Sequence, residues 1–513
     1  MGFEPVHVHH DRPYEWVGAW SERRAAIAPD APALTDLSRG ETWSYAELDD
    51  RANRTARMLA SNGVGAGDRI AVLSRNRVEV LDLFLATAKL GAVLAPLSHR
   101  LAPPTIEQLV GLVDPDVLVA EGRFVELASR PDGLEVLCLE DGTEAPGASY
   151  AETLPADDAP VDATATALAD VHLLLHTGGS TGTPKETAIT HGSILWNSIN
   201  TIAGWGLRDD DVTPMVFPFF HTGGWNVLTV PFFHMGGHLL IDRSVDPGAV
   251  LEAIDANGAT VLVAVPTVLR AMAEHDRWTE TDLSSLRFVK SGGGPCREAV
   301  IRAWRARGVD LSQGYGLTEC GPNNFAMPTE LAADHPDSIG RPAPHVSARV
   351  VDASDEVVPD GEIGELELAG PHAADRYWKN SDETAATFGD GWVSTGDLAR
   401  MDDRGLFYIE GRKKHMFVSG GENVYPAEVE AAIAEHPDVD EVVVLGVPDE
   451  RWGEVGLAVV ESAERFDLEV LRSFLDDRLA RYMHPRHLAF VDEMPTSGPS
   501  KIDREALRER FAP

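Results

Sequence analysis

Apolar and polar positions along most of this chain follow two alternating rhythms. Apolar-rich, strand-like runs occur at 70–73, 92–97, 260–265 and 286–290. Between and after them, 78–89, 267–274 and 297–305 carry apolar residues at helical spacing. Strands alternating with helices predict parallel sheets flanked by helices from about 30 to 400. The rhythm breaks at 346–370, where the runs 348–351 and 363–368 flank Pro359-Asp360-Gly361 and predict a small β-rich subdomain. Beyond Gly411 a compact α+β unit is expected. Pro426 suits the first turn of a helix carrying Val429, Ala432 and Ile433, Pro437 stops it, and 441–445 reads as a buried strand. The fold expected is therefore α/β, with a large N-terminal domain at 1–411 and a small α+β domain at 412–513. No tandem repeat or low-complexity segment interrupts this organisation.

Composition narrows the class. A chain of 513 residues, 43% hydrophobic and 25% charged, is that of a soluble globular protein with more than one core. The most apolar stretch, 214–241, is broken by Pro214, Pro218 and Pro231 and is not expected to span a membrane. No N-terminal segment pairs a basic start with an apolar core, so no signal peptide is read. Cys138, Cys296 and Cys320 make neither a disulfide framework nor a metal cluster, which predicts a reducing cytoplasm.

The net charge of −38 changes the picture further. Acidic residues are spread along the whole chain, and the lysines are only Lys89, Lys185, Lys290, Lys379, Lys413, Lys414 and Lys501. Such a surface suits solubility in concentrated salt, where screening removes self-repulsion, and predicts a halophilic source; an ordinary acidic enzyme is the alternative. Either way the field opposes nonspecific nucleic-acid binding. His7, His9, His10 and Asp11 read as a solvated tail rather than a metal site.

Chemistry concentrates at 176–185, HTGGSTGTPK, between an apolar run at 171–175 and a strand-like exit at 187–190. Glycines let backbone N–H groups turn toward a ligand. Thr177, Ser180, Thr181 and Thr183 add hydroxyl donors around Gly182, and Lys185 supplies a cation. A polyphosphate needs that combination. The spacing excludes a Walker A loop, because after four intervening residues Gly178 or Gly179 is followed by Thr183 or Pro184 instead of glycine and lysine.

This loop resembles the phosphate-binding signature of the adenylate-forming superfamily: acyl-CoA synthetases, luciferases and the adenylation domains of peptide synthetases. GYGLTE at 314–319, GWVSTGD at 391–397, GRKKHMFVSGGENVYP at 411–426 and Lys501 in PTSGPSKIDR continue the resemblance in the family's order. WSYAEL at 43–48, KLGAVLAPLSHRL at 89–101 and PFFHTGGWN at 218–226 agree with it. The resemblance implies that Thr177, Ser180, Thr181, Gly182, Thr183 and Lys185 hold the phosphates of ATP. It implies that Gly314, Tyr315 and Gly316 frame the adenine, with Tyr315 stacked on it. Thr318 would contact the α-phosphate, Glu319 would hold Mg²⁺, and Asp397 with Arg412 would hold the ribose. Lys501 would be the mobile catalytic lysine, His415 the hinge of a mobile C-terminal domain, and Gly420 and Gly421 would line the pantetheine tunnel. The acyl pocket would include Phe219, Phe220, the gating His221, Trp225, Val265, Gly292, Gly293 and Gly294.

Three positions depart from the family. Glu186 replaces a glycine and is expected to set an anion beside Lys185; His415 replaces the usual hinge aspartate; Ser500 replaces a glycine before Lys501. The implied activity is that of an AMP-forming acyl-CoA synthetase, with Mg²⁺ as cofactor and ATP, CoA and a carboxylic acid as partners. No aspartate in 218–226 could pair with an ammonium group, which disfavours amino acids. With no evident second cation in the pocket, a medium- or long-chain fatty acid is expected. An aryl acid, such as a benzoate or cinnamate, and a carrier-protein acceptor are the alternatives. Retention of Lys501, Glu319 and Asp397 argues against a silent nucleotide- or acyl-binding regulator. Monomer and homodimer both stay open.

Overall fold

The computed structural model describes residues 16–127, 134–140, 147–161, 166–177, 184–496 and 502–511. By contacts the chain divides into two compact units, one of residues up to 347 with 368–393, the other of 348–367 with 394 onward. The boundary expected at 411/412 thus falls inside the second unit. Most of the expected β-rich subdomain groups with the C-terminal residues, since its strands share a sheet with Trp392–Met401 and Phe407–Arg412.

In the first unit a seven-stranded sheet runs in the order Ala148–Ser149, Glu135–Cys138, Val117–Ala120, Arg69–Leu73, Val93–Pro96, Val171–Thr177, Lys185–Thr190. All its pairings are parallel except the last, an antiparallel hairpin. Three parallel strands, Val261–Ala264, Phe288–Ser291 and Leu311–Gln313, form a second sheet. A third joins Val212–Met215, His238–Ile241, Pro32–Asp36 and Glu41–Ser44, with its last pairing antiparallel. The parallel sheets expected are present, two of them with one antiparallel strand added at an edge.

The helices form where sequence and caps agree. In Tyr45–Ser61, Ser44 Oγ accepts from Glu47 N at 3.3 Å while the Glu47 side chain accepts from Ser44 N at 2.8 Å, a reciprocal capping box. Val78–Leu90 is buried on every face and ends at Gly91, whose φ of 69° is one that glycine adopts without strain. These two helices are tied by a bidentate Arg51–Asp82 pair, with nitrogen–oxygen distances of 3.0 and 2.6 Å. Lys89 is consumed nearby by Asp49 at 2.8 Å, a structural ion pair. The apolar stretch 214–241 folds into core: Phe232 and Phe233 are fully buried, each worth about 1.5–3 kcal/mol of transfer free energy. Among the described residues no helix is long and apolar enough to cross a membrane.

In the second unit, strands Ser347–Val351, Gly364–Ala369, Trp392–Met401 and Phe407–Arg412 belong to one sheet. Another sheet is ordered Glu422–Val424, Phe417–Ser419, Gly453–Glu461, Glu441–Asp449, with His487–Val491 added parallel to Gly453–Glu461. Its faces alternate strictly. Val442, Val444, Ala458 and Val460 pack with helices Pro426–Ile433 and Leu468–Leu475. Val443, Leu445, Val447, Val455, Leu457 and Val459 pack on the other side with Leu507. Both faces are covered, which is why 441–445 reads as a continuous apolar run.

Candidate active site

The hairpin of the seven-stranded sheet places the phosphate-loop candidates. Thr177 and Lys185 are direct cross-strand partners, so they stand at the two feet of the loop; Ser180, Thr181, Gly182 and Thr183 lie outside the described residues. Lys185 Nζ pairs with the Glu383 carboxylate and lies 5.0 Å from the ring centre of Tyr377. Glu186 does not behave as expected. It is fully buried, neither carboxyl oxygen has a hydrogen-bond partner among the described residues, and burial pushes its pKa well above its ordinary value. Strand alternation also turns it away from Lys185. Burial therefore favours the protonated form of Glu186, and the side chain does not stand beside Lys185 where an anion was expected.

The adenine and metal candidates follow the strand Leu311–Gln313. Gly314 N donates to Ser291 O at 2.7 Å, locking the turn to the neighbouring strand. At Gly316 any Cβ would lie 2.2 Å from the Pro322 backbone, so only glycine fits. Tyr315 meets Phe325 edge-on at 5.8 Å, and Thr318 is buried. Glu319 accepts the Tyr377 hydroxyl at 2.7 Å through Oε1, and its backbone oxygen accepts Ala374 N at 2.7 Å. Burial first and the Glu319 charge second raise the Tyr377 pKa, so the phenol stays a donor. Among the described residues no group of three or more His, Cys, Asp or Glu could cage a metal. A single carboxylate fits Mg²⁺, which is commonly held by one or two carboxylates together with substrate phosphates and water.

The acyl-pocket candidates gather at strand ends. Val265, Gly292, Gly293 and Gly294 follow the C-terminal ends of Val261–Ala264 and Phe288–Ser291, beside Gly314. Ligands of open parallel sheets bind at that edge. A Cβ on Gly292 or Gly294 would meet no heavy atom within 4 Å, and one on Gly293 only Val265 Cγ1 at 3.4 Å. The loop therefore fronts open space. Phe220 is bordered by His99, edge-on at 5.3 Å, by His176 at 6.3 Å and by the Arg100 guanidinium at 5.7 Å. His221 is exposed, and its Nδ1 accepts Gly223 N at 3.0 Å. A backbone N–H can only donate, so the ring carries its proton on Nε2. Surrounding protein lowers its pKa and keeps it neutral. Trp225 is not a pocket wall. It is 0% exposed, stacked between Phe84 and Phe219 at 4.7 Å each, with Nε1 donating to Phe219 O at 2.5 Å. It supports the pocket segment from inside the core.

In the second unit Asp397 and Arg412 are cross-strand partners, with Arg412 Nε 2.6 Å from Asp397 Oδ1 and Nη1 3.2 Å from Thr395 O. Two residues fifteen positions apart in sequence are thus presented side by side. His415 closes the short turn Lys413–His415 directly after that strand. Gly420 and Gly421 have φ of 63° and 93° and make a tight turn. A Cβ on Gly420 would come within 2.6 Å of the Trp452 ring, which lies between the guanidinium groups of Arg451 and Arg486 at 5.0 and 4.8 Å. Lys501 and Ser500 lie outside the described residues. Tyr377, Glu383, His176 and Arg100 were missed in the sequence. Only the aromatic-acidic string 375–384 between two motifs offered a signal for the first two.

Comparison with known proteins identifies the arrangement. The AMP-binding enzyme family model matches residues 21–378, and the model of the AMP-binding enzyme C-terminal domain matches 428–501. A feruloyl-CoA synthase of Amycolatopsis is 37% identical over 96% of this chain and 99% of its own. An indoleacetate–CoA ligase of Aromatoleum aromaticum is 36% identical over 96% and 98%. A long-chain-fatty-acid–CoA ligase of Mycobacterium tuberculosis is 32% identical over 97% and 98%. The crystal structure of ATP-bound MatB from Rhodopseudomonas palustris superposes with a TM-score of 0.87 at 30% identity, covering 96% of this chain and 99% of that one.

Proposed function

The chain belongs to the AMP-binding enzyme family and is an acid–thiol ligase of the AMP-forming acyl-CoA synthetase type, and on that premise we propose that its acid carries an aromatic ring. The observation that carries this reading is the pocket edge itself. The flat rings of His99 and His176 border Phe220, and the glycine loop 292–294, assigned to the same pocket by the family resemblance, fronts open space. Flat walls favour a planar acid through stacked and edge-on contacts. The relatives that act on feruloyl and indoleacetyl substrates are more similar than the fatty-acid ligase, in the same direction. A fatty acid, the sequence expectation, is the second reading, favoured by the 32% identity of that ligase.

In the reaction so read, the carboxylate attacks the α-phosphorus of ATP, giving acyl-adenylate and diphosphate, and the CoA thiol then displaces AMP. Bringing two anions together is the difficulty of the first step, and positioning and electrostatics meet it. Lys185 and Thr177 would flank the phosphates, Thr318 would contact the α-phosphate, and Tyr315 would stack on adenine. Glu319 would hold Mg²⁺, which when bound supplies positive charge to the phosphate oxygens. Asp397 and Arg412 would hold the ribose, and Lys501 would meet the charge developing in adenylation. Rotation about His415 would then withdraw Lys501 and bring Gly420 and Gly421 to the pantetheine. His221, fixed as an Nε2–H donor, would act at the acyl oxygen as a donor rather than as a base.

We read the −38 charge as adaptation to concentrated salt. ATP–diphosphate exchange across a panel of cinnamates, benzoates, arylacetates and fatty acids, followed by CoA-dependent AMP release, tests the substrate reading. Exchange confined to fatty acids would overturn it.

A further inference from the structure

One short segment contacts both charged groups expected at the polyphosphate. Residues 375–384 lie along the strand Lys185–Thr190: Ala188 N donates to Arg376 O at 3.1 Å, Trp378 N to Glu186 O at 2.7 Å, and Thr187 bridges Tyr377. The turn is braced internally, since Tyr377 N donates to Thr384 Oγ1 at 3.0 Å and the Asn380 side chain accepts Glu383 N at 3.2 Å. From this turn Tyr377 donates to Glu319, its ring faces Lys185 Nζ, and the Glu383 carboxylate pairs with Lys185. The Lys185 side chain is 11% exposed and that of Glu383 30%, so water screens the pair only in part. In a chain with seven lysines, the one beside the phosphate loop is already neutralised.

Lys185 carries one positive charge, and ATP brings several negative ones. A phosphate drawn to the ammonium meets the Glu383 carboxylate at the same nitrogen, and two anions there repel each other. Either the lysine leaves Glu383 for the phosphate, or the carboxylate is pushed aside. We propose that Glu383 is a placeholder for the nucleotide: it neutralises Lys185 in the empty site and gives the lysine up when the polyphosphate enters. Tyr377 is the fixed side of the exchange, holding Glu319 whichever partner Lys185 has. The proposal rests on the nucleotide reading above and concerns which residue competes with the nucleotide, beyond which residues bind it.

Equilibrium binding of ATP to the full-length protein, in EDTA and over a salt series, tests it. Glu383→Gln removes the competing charge and keeps the shape. It should tighten metal-free ATP binding about fivefold and steepen its salt dependence. Glu469→Gln, which removes one carboxylate from the exposed Arg472–Glu469 pair outside the site, should keep that affinity within about twofold of the parent. Unchanged or weaker binding by Glu383→Gln, with the parent binding normally, overturns the placeholder and makes Glu383 a permanent support for Lys185. No binding by the parent overturns the nucleotide reading and the placeholder with it. If Glu383→Gln does not fold, Glu383→Asp, which retracts the charge by one methylene, must still tighten binding for the proposal to stand.

Discussion

Glu186 makes the sharpest test of the site's physical chemistry. Its carboxyl is fully buried, both oxygens lack partners among the described residues, and burial holds its folded pKa well above the ordinary 4.5. Below pH 4.5 the group is protonated in both folded and unfolded chains and costs nothing through titration. Above it the unfolded carboxyl ionises while the folded one keeps its proton. The folded state then binds more protons, and stability falls as pH rises, by about 1.4 kcal/mol per pH unit until the folded pKa is reached. Glu186→Gln keeps the shape and removes the titration. Above pH 4.5 the variant should therefore gain stability on the parent as pH rises, with a limiting slope of about 1.4 kcal/mol per pH unit. Buried ionisable groups distant from Glu186 cancel in the difference, whereas His176, its cross-strand partner with a pKa near 4, is replaced by Phe in both proteins before the comparison. Urea unfolding of both proteins at several pH values, in constant molar salt, measures it. Parallel stability curves would show that Glu186 titrates as an ordinary carboxyl in the folded chain and that its burial does not favour the protonated form.

Lys501→Ala should lower acyl-adenylate formation by about two to three orders of magnitude yet spare thioester formation from supplied acyl-AMP; equal loss of both half-reactions would remove the two-conformation account. Gly294→Leu adds bulk where a Cβ meets no neighbour, so it should cut kcat/KM for bulky acids in the exchange assay while short acids retain theirs; uniform loss would mean the loop does not bound the acyl group. Thermal stability and activity should both rise from dilute buffer to molar KCl, as screening relieves the −38 charge; full stability in low salt would refute a halophilic surface. His415→Pro should damage one half-reaction selectively by fixing φ at the hinge, and equal rates for both steps would show that no torsional change occurs there.

The sequence alone determined the elements and the chemical inventory. Apolar rhythm is a local property, so the strands at 171, 261 and 288 and the helices at 78 and 298 form within a few residues of where their patterns predict. Motif residues that lie at the ends of one hairpin, Thr177 and Lys185, or on adjoining strands, Asp397 and Arg412, also met as expected. Tertiary structure decided what each group can do there. Trp225 has a pocket-like position in the sequence, but Phe84, far away in the chain, stacks on it and closes it into the core. Glu186 is an ordinary acid until the sheet face around it excludes water and keeps its proton on. Tyr377 lies 58 residues from the Glu319 it bonds, and Glu383 lies 198 from the Lys185 it neutralises. Charge state, exposure and partner depend on desolvation and on contacts between distant segments, and neither quantity is carried by local pattern.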